Sequence, residues 1–211
     1  RNAVTMSGGV MGVPVFGGLV EYSAWGPVNL VSVAEPDPAE LSPEPLDVSA
    51  DNNTVAFSGV GVEISTDTLS GAGVKSDGIF GGCVRISEIY PGINVSADTN
   101  TVALSHVSAS GARVYGGLIE SGFAYPYPVS TSGSSDSALS SVSLSASGNS
   151  VFLEQSSAGD VYGGTIRTGG QTYAYPRFQR SAAAPEFAII PSPTVFTAHA
   201  DGNTVGIADS S

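Results

Sequence analysis

The chain has 211 residues, enough for one substantial core, yet only 12% are charged, about half the share usual in soluble domains. Its formal charge of -12 argues against nucleic acid, which needs basic patches, and against an anionic membrane surface. Helix-favouring Glu, Lys, Gln and Arg are scarce, β-branched residues are common, and the 41% hydrophobic residues fall in alternating strings. Together these predict an ordered all-β chain. No apolar run approaches the ~20 residues of a membrane-spanning helix, so no membrane insertion of this segment is expected.

One pattern recurs about every 50 residues: Asn, a small residue, then a hydrophobic alternation. It begins at Asn2, Asn53, Asn100, Asn149 and Asn203. Between these stands a second landmark, an aromatic residue followed by two glycines: Phe16-Gly17-Gly18, Phe80-Gly81-Gly82, Tyr115-Gly116-Gly117 and Tyr162-Gly163-Gly164. The repeats run approximately over 2–50, 51–97, 98–146 and 147–200, with a partial repeat at 201–211, all in a single domain.

In the first repeat Val4, Met6, Val13 and Val15 alternate with small or polar residues, the period of strands with one buried face. Val28 to Val33, after the single Trp25, reads as a further strand. The following Glu35 to Pro45 holds four prolines in eleven residues and cannot join a ladder, so it is expected as a surface loop. Repeat two separates its Asn and glycine landmarks about twice as far as the others do, and the excess around Val60 to Ser76 could form a hairpin. The other repeats insert after the glycines, with Tyr-Pro pairs and a Ser-rich run from Ser130 to Ser141.

Ahead of the later Asn motifs come Asp47-Val-Ser-Ala-Asp, Asn94-Val-Ser-Ala-Asp, Ser143-Leu-Ser-Ala-Ser and Phe196-Thr-Ala-His-Ala-Asp. Each reads as a strand leading through a polar turn into the Asn motif, so each unit has three strands. Stacked in register, such units predict a parallel β-helix of about four coils with long loop insertions. One coil per repeat would align the asparagines as a ladder, whereas two would leave a blank rung between them. The glycine pairs would form a second column of tight corners or bulges.

The motif Asn-x-Val-x-Leu/Met-Ser-Gly-Gly, seen from Asn2 to Gly9, and Val-Tyr-Gly-Gly, seen at Val161 to Gly164 and Val114 to Gly117, resemble the repeats of bacterial autotransporter passenger domains. The resemblance covers the rungs and not the Pro-, Tyr- and Ser-rich inserts. It implies a secreted, right-handed β-helix displayed on a Gram-negative cell, extracellular or on the outer surface, serving adhesion or aggregation. The family's C-terminal barrel is absent from this sequence.

No catalytic, cofactor or metal site is legible, and the chain is read as no enzyme. His106 and His199 are isolated, and His106 occupies the turn position held elsewhere by Gly8, Gly59 and Gln155. Arg113 and Arg167 flank glycine motifs without an Asp pair, and Glu21 and Glu120 each follow a glycine pair, the closest approach to the carboxylate set of a polysaccharide-active enzyme. Glu35, Asp37, Glu40, Glu44 and Asp47 lack a calcium-loop motif. Cys83, the sole cysteine, reads as a small semi-buried strand residue. Phe123, Tyr125, Tyr127, Tyr173 and Tyr175 lie in successive inserts and are candidate contacts for a surface receptor or glycans.

The lead expectation is therefore a non-catalytic secreted or cell-surface protein acting in adhesion or assembly. The chain opens and closes inside the repeat, which predicts a section of something longer or a subunit continued by a neighbour. In that case open ends would let copies join head to tail into a filament.

Overall fold

The computed structural model describes residues 1–22, 46–64, 78–89, 93–124, 129–130, 141–168, 188–189 and 195–211. Within these residues the first repeat gives β1 (Ala3–Ser7), β2 (Val10–Val13), β3 (Val15–Tyr22) and β4 (Leu46–Ser49). The second gives β5 (Thr54–Ser58), β6 (Gly61–Ile64), β7 (Gly78–Ile89) and β8 (Ile93–Ser96). The third gives β9 (Thr101–Ser105), β10 (Arg113–Ala124), β11 (Val129–Ser130) and β12 (Ser141–Ser145). The fourth gives β13 (Ser150–Glu154), β14 (Val161–Thr168), β15 (Ala188–Ile189) and β16 (Val195–His199), and β17 (Thr204–Ala208) closes the order. No helix occurs among the described residues.

Three parallel sheets carry the architecture. The strands after each asparagine form one, in the order β1-β5-β9-β13-β17. The double-glycine strands form the second, β3-β7-β10-β14, and the strands before the asparagines the third, β4-β8-β12-β16. Neighbours in every sheet come from consecutive repeats, so successive asparagines lie on adjacent strands with no blank rung between them. At the start of the segment after Val60, β6 lies parallel on β2, with Val62 and Val13 both buried in the shared interior. The remainder of that segment, the Val28–Val33 strand, Trp25, the proline-rich stretch and most of the Ser-rich run lie outside the described residues.

Register explains the packing. Val4, Val55, Val102, Val151 and Val205 align across the first sheet, as do Met6, Phe57, Leu104, Leu153 and Ile207. Because side chains alternate along a strand, both columns point to one face, and Val55, Val102 and Val151 are completely buried there. Each such valine or leucine contributes about 1.5–3 kcal/mol of burial. They join Val15, Ile79 and Val114 of the glycine sheet in one cluster. A second cluster unites Val84 and Ile119 with Val48, Val95, Val142 and Leu144 of the third sheet.

The turns repeat as faithfully as the strands. Gly8, Gly59, His106, Gln155 and Asp209 occupy one turn position, and all five have positive φ. A side chain in that region costs about 1–2 kcal/mol, which glycine avoids. His106 is exposed there, and its role is that of a turn residue. Gln155 (φ 47) is exposed as well. We expect Gln155→Gly to stabilise the chain by roughly 0.5–1 kcal/mol, read as a higher urea midpoint at unchanged slope. A lower midpoint would show that this turn is not strained.

Candidate functional site

The asparagines form a continuous hydrogen-bonded ladder. The backbone N–H and the side-chain Nδ2 of each one donate to Oδ1 of the next. Asn53 reaches Asn100 at 2.8 and 3.0 Å, and Asn100 reaches Asn149 at 2.9 and 3.1 Å. Asn2 donates likewise to Asn53, and Asn149 to Asn203. At the last rung Asn203 Nδ2 turns to the carbonyls of Ala146 and Ala200. Asn53, Asn100 and Asn149 are buried, so every amide proton accounted for here is one spared an unpaired burial.

The glycine pairs exist because of this ladder. Gly17, Gly18, Gly81, Gly82, Gly116, Gly117, Gly163 and Gly164 lie inside continuous strands, and none is among the positive-φ glycines. Val15 before the pair faces the first core cluster, and Val20 after it faces the second. The inward parity therefore switches across the pair, leaving two successive residues that face an asparagine. A Cβ on Gly81 would stand 2.9 Å from Asn100 Cβ, and one on Gly117 would stand 2.6 Å from Asn149 Nδ2 and collide with the Ala97 carbonyl. Only glycine lets the second sheet approach this closely.

The outward face of the glycine sheet carries two more columns. Phe16, Phe80, Tyr115 and Tyr162 stack ring on ring at 4.8, 5.2 and 4.9 Å between centroids. Three residues beyond the second glycine of each repeat stand Glu21, Arg85, Glu120 and Arg167, in register across β3, β7, β10 and β14. Their charges alternate. Arg85 contacts Glu21 at 3.3 Å and Glu120 at 3.5 Å, and Arg167 contacts Glu120 at 3.5 Å. Arg85 and Arg167 also lie over the Phe16 and Tyr115 rings, and Arg167 Nη2 donates to the Tyr115 hydroxyl at 2.7 Å. Glu21 and Glu120 do share a column, but Arg85 stands between them. A carboxylate pair facing one glycosidic bond needs that space open.

Other polar groups are absorbed structurally. Asp51 accepts from the Asp98 backbone and the Ser96 hydroxyl, and Asp98 accepts from the Ser147 backbone and the Ser145 hydroxyl. Ser105 Oγ lies 2.9 Å from His106 Nδ1 and donates to Glu154 at 3.2 Å. In a hydrolytic triad the imidazole stands between hydroxyl and carboxylate, whereas here the hydroxyl does. His199 contacts Asp201 at 3.4 Å on the surface. Among the described residues no group of three or more His, Cys, Asp or Glu could hold a metal ion.

Of the candidate contact aromatics, Phe123 belongs to β10, opposite Glu88 of β7 in register. Tyr125, Tyr127, Tyr173 and Tyr175 lie outside the described residues, as do Glu35, Asp37, Glu40 and Glu44. No family model matches the chain, and no curated protein and no solved structure matches it. The likeness to autotransporter repeats rests on the motifs alone.

Cys83 is fully buried beside Leu118 and the aromatic column, and burial pushes its thiol from the ordinary 9.0 up to about 12. Burial also raises the Tyr115 phenol. Both groups lose protons sooner in the unfolded chain. Their contribution to stability is thus complete below pH 9.0 and declines as pH climbs toward about 12. Denaturant midpoints should fall over that window, and less steeply in Cys83→Ala. A flat profile would contradict it.

Two substitutions test the ladder and its glycine wall. Asn100→Ala removes the acceptor of two buried donors and should cost about 3 kcal/mol. Gly117→Ala should cost more than the roughly 1–3 kcal/mol of ordinary overpacking, because a backbone carbonyl stands in the way. Urea unfolding measures both. Near-wild-type midpoints would mean that neither contact constrains the fold.

Proposed function

We propose that this chain is a parallel β-helix acting as a non-catalytic, secreted or cell-surface scaffold in adhesion or structural assembly. The observation that carries the reading is where the long connections leave. Those between β3 and β4 (23–45), β10 and β12 (125–140), and β14 and β16 (169–194) all depart from the same end of the glycine sheet. Strands in register stack these departure points along one edge. β11 and β15, from two consecutive inserts, pair with each other. A rigid stack whose variable segments emerge side by side suits the presentation of a binding surface. The tyrosines of these inserts supply rings that can stack on glycans or seal a contact with a receptor protein.

The alternative reading is a head-to-tail extracellular filament subunit. A polysaccharide-active enzyme is the outside alternative, and the interposed Arg85 speaks against it.

Replacing residues 169–194 with a five-residue connection, the length of segment 87–91 that joins the same register positions in the second repeat, separates scaffold from binding surface. We expect an unchanged β-sheet circular dichroism spectrum and a loss of at least tenfold in binding to cell-surface glycans or receptor preparations. Tyr173→Ser/Tyr175→Ser should reproduce part of that loss without touching the scaffold. Undiminished binding by both variants would sink the adhesion reading.

A further inference from the structure

The outward face of the Asn sheet is used neither by the ladder nor by the inserts. Each five-residue strand of this sheet turns its first, third and fifth residues away from the core. The third positions align as Thr5, Ala56, Ala103, Phe152 and Gly206, and the fifth as Ser7, Ser58, Ser105, Glu154 and Ala208. A groove of about 630 Å³ crosses the rungs here, lined among others by Ala56, Ala103, Ser58, Ser105, Phe152 and Glu154. That volume is within the ~300–1,000 Å³ of sites that take a ligand or a partner's side chain.

Two neighbours on β13 set its chemistry. Phe152 is a 47% exposed ring in a column of otherwise small residues. Gly206 makes room for that ring: a Cβ there would stand 2.9 Å from Phe152 Cδ1. Glu154, two residues on and on the same face, is exposed and accepts from the Ser105 hydroxyl at 3.2 Å. No cation contacts it among the described residues.

Elsewhere in the molecule the same two groups hold a guanidinium. Arg85 lies 5.3 Å from the centroid of Phe16 and contacts the carboxylates of Glu21 and Glu120. Arg167 lies 5.3 Å from the centroid of Tyr115 and contacts Glu120. A ring face and a carboxylate thus act together on one planar cation. At Phe152 and Glu154 both are present and solvent-facing. The chain has 7 Lys and Arg against 19 Asp and Glu, and Arg85, Arg113 and Arg167 already meet carboxylates. Charge complementarity therefore favours a cation from outside.

We propose that this groove docks an arginine displayed on an extended segment of a partner protein. The methylene stem lies on Ala56 and Ala103, and the guanidinium sits against the Phe152 ring with Glu154 as its counter-ion. The surface is separate from the 169–194 insert, so the inference goes beyond the adhesive reading. A glycan stacking on Phe152 is the competing occupant, and it would need no positive charge.

The test titrates the whole ¹⁵N-labelled chain with the blocked peptide Ala-Val-Arg-Val-Ala and follows amide shifts by NMR. We expect saturable shifts concentrated at Ala56, Ala103, Phe152, Glu154 and Gly206. Glu154→Gln and Phe152→Ala should each weaken binding about threefold, and citrulline in place of arginine roughly tenfold, with unchanged circular dichroism. The chain shortened at 169–194 should bind the peptide as the unaltered chain does, so this result and that of the insert experiment are read separately. Equal binding of the citrulline peptide, or shifts scattered over the other surface carboxylates, would overturn the proposal. Shifts at the same amides with cellotriose and none with the arginine peptide would overturn it in favour of a glycan.

Discussion

The structure depends on a row of amides meeting a row of absent side chains. From Asn53 onward each Asn Oδ1 accepts two protons from the rung before it, which fixes the rungs at strand spacing and sets their register. The same side chains fill the narrow part of the interior, between two hydrophobic clusters. The second sheet can reach them only where two successive residues lack a Cβ. Neither motif is intelligible without the other: the glycines give the amides room, and the amides seal the gap that the glycines leave. Buried polar ladders are costly when incomplete, so the arrangement favours uninterrupted continuation from repeat to repeat.

Much of this could be read from the residues. The Asn period located the rungs, the alternation located the strands, and the conserved spacing within each repeat located the turn that His106 shares with Gly8, Gly59 and Gln155. The function of the glycines could not be read in the same way. A double glycine looks the same at a corner as beneath a buried side chain, and only the parity switch between Val15 and Val20 distinguishes the two. The charge column was present as a fixed offset from each second glycine, at Glu21, Arg85, Glu120 and Arg167. It escapes notice because its sign alternates, and a search for like residues at like positions passes over it. The pairing of β6 with β2 was equally hidden, since a short alternating segment does not declare its partner.

For the proposed scaffold role, the division of labour between rungs and connections is the informative feature. The rungs are constrained on every side: inward by packing, along the stack by register, and at the turns by positive φ. Connections after the glycine strands vary in length instead, from the brief link before β8 to the long inserts before β4, β12 and β16. Such a chain can alter what it touches without altering what holds it together.

Repetition carries its own hazard, which the alternating column answers. Because each repeat offers nearly the same Asn motif, glycine pair and apolar columns, a folding chain could skip one repeat and still bury its valines. Such a mistake would set Glu21 beside Glu120 and Arg85 beside Arg167, like charge on like charge beside a stacked aromatic column. The four residues thus act as a parity check on the order of assembly, penalising the single-repeat slip that the hydrophobic pattern alone would forgive.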